Sequence, residues 1–150
     1  MERTLVLLKP DTLQRSLTGK IISRLESRGL KIAAMKLMQM TRGLAESHYQ
    51  AHVDKPFFPS LVEFITSSPL IAMVLEGKHA IELVRSTMGE TDPAKAIPGT
   101  IRGDLSMDIG RNLVHGSDSI EAAKREISLF FQESEILDYR RDTDSWIIEP

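Results

Sequence analysis

The residues best equipped for chemistry lie near the end of the chain, in Asn112-Leu113-Val114-His115-Gly116-Ser117-Asp118-Ser119. Imidazole has an ordinary pKa of about 6.5, so it can serve as base or nucleophile near neutral pH. His115 is held between a short apolar run and small polar residues. It stands at a strand end, or beside a turn in which Gly116, Ser117 and Asp118 simply lead into a helix. A histidine so placed is by default structural or solvated. Glu126 lowers the weight of that default: at about 100° per residue it falls at the edge of the apolar stripe of the last helix, whereas Arg125 points to solvent. A carboxylate there can turn inward, accept a hydrogen bond from one imidazole nitrogen and leave the other free and nucleophilic. Otherwise Glu126 is an ordinary flanking charge. A hydrolase triad of Ser117, His115 and Asp118 fits poorly, because the three are too close in sequence for relay geometry and no Gly-x-Ser-x-Gly elbow is present.

Cations are the second ingredient. Lys9 follows the first apolar run, Arg102 lies in a glycine-rich loop, and Arg85 lies on the side of Ile81, Val84 and Met88, where an arginine is usually a snorkelling stem. Each alone is bland. Converging, they would form the clamp that phosphoryl transfer needs. Such a site would use side chains, because Gly19-Lys20 and Gly77-Lys78 lack the rest of a Walker loop and no dinucleotide fingerprint occurs. With no cysteine cluster, no protein-held metal site is expected. Phe57, directed by Pro56 and off the stripe of Phe58, Leu61, Val62 and Ile65, is either partly buried or a stacking platform for a planar ligand.

The elements that must position these residues follow from apolar spacing. Thr4 to Leu8 reads as a strand buried on both faces and stopped by Pro10. Leu17, Ile21, Ile22 and Leu25 give a helix ended by Gly29, and Leu30 to Met40 a second strand. Leu44 to Tyr49 and Phe58 to Ile65 read as helices, Leu70 to Leu75 as a strand, and Ile81 to Met88 as a helix. Residues 89–103 form a long aperiodic loop, of a length more often functional than idle. Leu113 and Val114 supply a last strand. The final helix is expected to start at an Asp118-x-x-Glu121 capping box and to bury Ile120, Ala123, Ile127, Phe130 and Phe131. Four strands with intervening helices predict an α/β sandwich of split βαβ type, as one domain over residues 1–150. The 150 residues carry a formal net charge of −2 and no cysteine. Nothing global marks a nucleic-acid or membrane binder, disulfides are excluded, and Leu5 to Leu8 is too short for a signal-peptide core. A cytoplasmic location is the expectation.

Lys9-Pro10-Asp11, His48-Tyr49, Pro56-Phe57-Phe58, Gly89-Glu90-Thr91-x-Pro93, Pro98-Gly99-Thr100-Ile101-Arg102-Gly103-Asp104 and Gly110-Arg111-Asn112-x-x-His115-Gly116-Ser117-Asp118-Ser119 occur here in one order and spacing. In these motifs, and over essentially its whole length, the chain closely resembles nucleoside diphosphate kinases. The resemblance implies a ferredoxin-like βαββαβ core with a four-stranded antiparallel sheet covered by helices. It further implies ping-pong transfer of the γ-phosphoryl group between nucleotides, maintaining nucleoside triphosphate pools. His115 would be phosphorylated on Nδ1, with Glu126 and Ser117 orienting it. Lys9, Tyr49, Arg85, Thr91, Arg102 and Asn112 would contact phosphates or sugar, and Phe57 would stack on the base. Magnesium (Mg2+) would be held mainly by the nucleotide and water. A tail running through Trp146 to Glu149 resembles that of hexameric members, so a hexamer is expected. The competing reading is a catalytically silent nucleotide-binding or scaffold protein, which would need the cations and the stacking ring but not an oriented nucleophile.

Overall fold

The computed structural model describes all residues 1–150. Chain order is β1 (Glu2–Leu8), α1 (Pro10–Gln14), α2 (Thr18–Ser27), β2 (Lys31–Met38), α3 (Arg42–His48), α4 (Phe58–Ile65), β3 (Leu70–Gly77), α5 (Ala80–Met88), α6 (Ile101–Leu105), β4 (Val114–Gly116) and α7 (Ile120–Phe130). Single 3-10 turns occur at Gln50–His52, Glu133–Glu135 and Asp144–Trp146. The strands form one antiparallel sheet in the order β2-β3-β1-β4, the ferredoxin-like arrangement. No helix is long and apolar enough to cross a membrane.

β1 and β3 lie in the centre of the sheet, and their near-continuous apolar sequences follow from burial on both faces. Leu5, Leu7, Ala72 and Val74 pack with Ala45, Val62, Ile65 and Phe130 on one face. Val6, Leu8, Met73 and Leu75 pack with Ile21, Leu25, Ala80, Val84 and Met88 on the other. The short edge strand β4 inherits this alternation through its register on β1, with Leu8 opposite Val114, Leu7 opposite His115 and Val6 opposite Gly116. Directly paired residues share a face. His115 therefore projects with Leu7 toward α3 and α7, while Val114 and Gly116 turn toward α5.

Three local expectations need correction. Pro10 does not merely stop β1: it occupies the first position of α1, where its missing N–H costs nothing. The loop from residue 89 is interrupted at Ile101 by α6, capped by the Thr100 hydroxyl accepting from Gly103 N. The N-cap of α7 is Ser119 rather than Asp118. Its extended backbone (φ −155°) lets the hydroxyl accept from Ala122 N at 3.0 Å. Ile120 is then the first helical residue and is exposed, not buried. Gly29, at φ +94° just past α2, ends that helix as expected.

Gly116 has a steric task. A Cβ there would meet Met88 Sδ and Val84 Cγ1, both at 2.9 Å, in the fully packed α5 layer. Gly116→Ala should lower the unfolding free energy by roughly 1–3 kcal/mol through overpacking. Urea denaturation checks this, and an unchanged midpoint would show that α5 can shift without cost.

Candidate active site

His115 meets Glu126 because β4 aims it at the face that α7 covers. Its Nε2 lies 2.9 Å from Glu126 Oε1. Glu126 is 5 % exposed. Burial acts to raise its pKa, but hydrogen bonds from His115 and Ser117 and the nearby imidazoles outweigh burial and lower it. The carboxylate is therefore ionised and can only accept. It follows that Nε2 carries the proton in this bond, so neutral His115 has its free lone pair on Nδ1.

Ser117 lies two residues on in the same strand direction and is fully buried. Its hydroxyl donates to Glu126 Oε1 at 2.7 Å and accepts from Leu5 N at 3.3 Å. Ser117 thus acts on His115 through Glu126, without touching the ring. This geometry also excludes the hydrolase triad, since the hydroxyl proton is directed to Glu126. His48, at the end of α3, packs edge-on against His115 with ring centroids 4.7 Å apart. Burial, then the proximity of His115, lowers the His48 pKa to about 3, so this ring is neutral. From the sequence His48 is a helix residue and part of the His48-Tyr49 motif, with no role assigned to it. The expectation that the chain holds no His-x-x-x-His pair needs correction: His48 and His52 stand at that spacing, which can ligate zinc within a helix. Here α3 ends at His48, and the imidazole packed against His48 is that of His115 rather than His52.

The stretch before β4 is fixed by a backbone constraint. Leu113 has φ +72°, a conformation costly for a branched side chain. It is held from four sides. Asp11 Oδ2 accepts from Leu113 N at 3.0 Å, and the Leu113 carbonyl accepts from Thr12 Oγ1 at 2.7 Å and from Lys9 N at 2.9 Å. The Leu113 side chain is itself buried. This explains why α1 follows β1 with only Lys9 between them: Lys9, Asp11 and Thr12 lock the chain that delivers His115.

Asn112 is thereby placed against Lys9. Lys9 Nζ donates to Asn112 Oδ1, and Asn112 Nδ2 donates to the Thr91 carbonyl at 2.9 Å. Arg102 is buried and spends three donors on the carbonyls of Asn112, Gly89 and Val114. Guanidinium has five N–H donors, so two remain for a ligand. Burial, then Arg85, lowers its pKa to about 10. Arg85 is exposed, as a snorkelling arginine is, and its guanidinium reaches the Gly116 carbonyl at 3.3 Å. Arg111, which the sequence reading did not single out, lies with its guanidinium 4.0 Å from the Phe64 ring centroid; Lys9 Nζ is 5.8 Å from the same centroid. Lys9 and Arg102 thus each feel other site cations, with Asp11 the carboxylate felt by Lys9. The cluster is short of negative charge, the condition for binding an anion.

The remaining residues are joined more loosely. Tyr49 packs against His48 at 4.7 Å, and burial, then Asp11 and Glu126, raises its pKa to about 12. The Thr91 side chain is exposed, and its backbone carbonyl makes the contact. Phe57 is 48 % exposed and connects through the His52 ring, 5.6 Å away, toward Tyr49. It is available to a planar ligand but does not itself touch the His115 cluster.

Lys9 gives this arrangement a measurable signature. Burial, partly offset by Asp11 and reinforced by Arg102 and Arg111, lowers its pKa from 10.5 to about 8. Below pH 8 folded and unfolded Lys9 are both protonated, and the full cost of burying the charge is present. Between pH 8 and 10.5 only the unfolded state keeps the proton, so this group's contribution to stability rises with pH. The unfolding free energy of wild type minus that of Lys9→Gln should rise by about 1–2 kcal/mol between about pH 7.5 and 9.5. A flat difference would mean that Lys9 titrates normally and is not enclosed by the other cations.

A family model described as nucleoside diphosphate kinase matches residues 2–136. Over 149 residues the chain is 56 % identical to the nucleoside diphosphate kinase of Archaeoglobus fulgidus, covering 99 % of both. It is 57 % identical to that of Carboxydothermus hydrogenoformans, covering 99 % of this chain and 100 % of the relative. The solved nucleoside diphosphate kinase of Halobacterium salinarum, in complex with CDP, superposes with a TM-score of 0.96 at 52 % identity, covering 99 % of each chain. In sequence and in fold, the chain belongs to the nucleoside diphosphate kinase family and is an enzyme of that family.

Proposed function

We propose that this enzyme, as one domain over residues 1–150, transfers the γ-phosphoryl group of a nucleoside triphosphate to a nucleoside diphosphate through a phosphohistidine on His115 Nδ1. The observation that carries the reading is the buried Glu126 carboxylate on Nε2, which leaves the Nδ1 lone pair free. In the first half-reaction Nδ1 attacks the γ-phosphorus and the bond to the β-phosphate oxygen breaks, releasing the diphosphate. The ring gains positive character, and Glu126 stabilises it at Nε2–H without taking part in bond making. In the second half-reaction a β-phosphate oxygen of the acceptor attacks the same phosphorus and the P–N bond breaks. A P–N bond retains most of the transfer potential of the triphosphate, which a serine ester would lose. This is why the neighbouring Ser117 and Ser119 cannot replace His115.

Lys9, Arg85, Arg102 and Asn112 are assigned to the phosphates and sugar, together with Tyr49 and Thr91. Phe57 offers an exposed ring to the base. Stacking without edge-specific hydrogen bonds tolerates any base, consistent with a broad role in maintaining triphosphate pools. The residues around Lys9 suit phosphate oxygens better than a bare cation, because Arg102 and Arg111 add positive charge there against the single carboxylate of Asp11. Magnesium would therefore be held mainly by nucleotide oxygens and water, and it would supply neutralisation of phosphate charge. CDP in the Halobacterium salinarum relative supports a nucleotide site in this fold. The silent-scaffold alternative is disfavoured because the Ser117–Glu126–His115 chain has no task in a binding module.

A homo-hexamer and a cytoplasmic location complete the proposal. Exposed Met35 and Leu37 on the edge strand β2, and exposed Ile97, Met107 and Ile109, supply apolar surface for subunit contacts. The lack of cysteine fits a reducing compartment. Light scattering should give six times the chain mass, and a dimer or tetramer would remove the hexamer.

Incubation with γ-labelled ATP and magnesium, followed by a GDP chase, tests the chemistry. The label should be acid-labile and base-stable, absent from His115→Ala, and transferred fully to GDP. ATP binding without any label would turn the reading to the silent module.

A further inference from the structure

Three side chains able to ligate a metal meet around His115 although they come from three elements: His48 from α3, His115 from β4 and Glu126 from α7. One potential ligand atom from each lies within 4.8 Å of the others. His48 and Glu126 are both 5 % exposed, and His48 Nδ1 is buried without a hydrogen-bond partner. Unpaired buried polar atoms are rare in folded proteins and call for an explanation. The His115 side chain, 26 % exposed, provides an open side from which an ion can enter.

Two imidazoles and one carboxylate suit zinc and similar borderline divalent ions, whereas magnesium and calcium favour oxygen donors throughout. Tetrahedral zinc, with bonds of about 2.0–2.2 Å, places its ligand atoms about 3.4 Å apart. His115 Nε2 and Glu126 Oε1 already lie 2.9 Å apart, so binding needs only side-chain rotations that bring the three ligand atoms, now within 4.8 Å of one another, to that spacing. Water would fill the open position.

We propose that His48, His115 and Glu126 bind one zinc-class divalent ion, and that the bound ion silences the nucleophile. Coordination through His115 Nδ1 occupies the reactive lone pair directly. Coordination through Nε2 moves the ring proton to Nδ1, with no net proton release, and the lone pair is again lost. Zinc and a phosphoryl group therefore exclude one another at His115. The silencing rests on the phosphohistidine reading, while the binding itself does not.

The chain has four histidines and no cysteine, so few other sites compete. Zinc chloride titrated by calorimetry into the nucleotide-free full chain should bind one ion per chain. Affinity should fall at least tenfold in His48→Gln and in Glu126→Gln and remain unchanged in His79→Gln. X-ray absorption of the wild-type zinc complex, which depends on no variant folding, should show two imidazole ligands. No binding, equal binding by His48→Gln, or fewer than two imidazoles in the zinc shell would overturn the site. With free zinc held above its measured Kd, labelling of the wild type by magnesium-ATP should drop at least fivefold, and undiminished labelling would overturn the silencing. A chain that binds zinc as described but is never labelled would contradict the phosphohistidine reading and leave the metal site standing.

Discussion

The hydrogen bond between His115 Nε2 and the Glu126 carboxylate is the contact on which the site's chemistry depends. A neutral imidazole has one proton for two nitrogens, and an ionised buried carboxylate settles which nitrogen holds it. Keeping that carboxylate buried is expensive, and the expense is offset by placing donors on it. His115 and Ser117 both point at the same oxygen, and Arg125 comes within 3.8 Å of the other. Removing one partner from such a group exposes the cost of the remaining buried charge, commonly a few kcal/mol. The interaction that leaves Nδ1 with the free lone pair is thus also part of what holds α7 to the edge of the sheet.

The sheet and the loops then serve that contact from opposite directions. The pairing of β4 with β1 sets parity, so His115 faces the α3 and α7 layer, while Gly116 leaves room for Met88 and Val84 behind it. The strained backbone at Leu113 sets position, and Lys9, Asp11 and Thr12 impose it from the end of β1 and the start of α1. Lys9 has a second role as one of the cations facing the same region. The chain that delivers His115 and the chain that delivers positive charge are therefore one hydrogen-bonded unit.

Much of this was legible in the sequence where periodicity decides the outcome. The apolar runs of β1 and β3, the stripes of α2, α4 and α5, and the position of Glu126 on α7 all follow from burial. Features decided by backbone geometry were not legible. Pro10 stops a strand and also starts a helix, and its residue type cannot distinguish the two. Ser119 and Asp118 are both good caps, and only the extended backbone of Ser119 selects it. Leu113 at positive φ gives no signal, because the residues that hold it are about 100 positions away. Convergence is equally hidden: Lys9 and Asn112 touch across 103 residues, and neither His48 nor Arg111 has a local pattern that marks it as a neighbour of the site. The motif resemblance assigned roles to Lys9 and Asn112 but none to His48 or Arg111.

The most direct test of the central claim is the protonation pattern of the His115 ring in the unphosphorylated protein. Long-range proton–nitrogen NMR on 15N-histidine-labelled wild type, at a pH where the imidazole is neutral, reads it. The account expects a proton on Nε2 and an unprotonated Nδ1. A proton on Nδ1 would contradict it, because the Glu126 contact would then not be setting the tautomer.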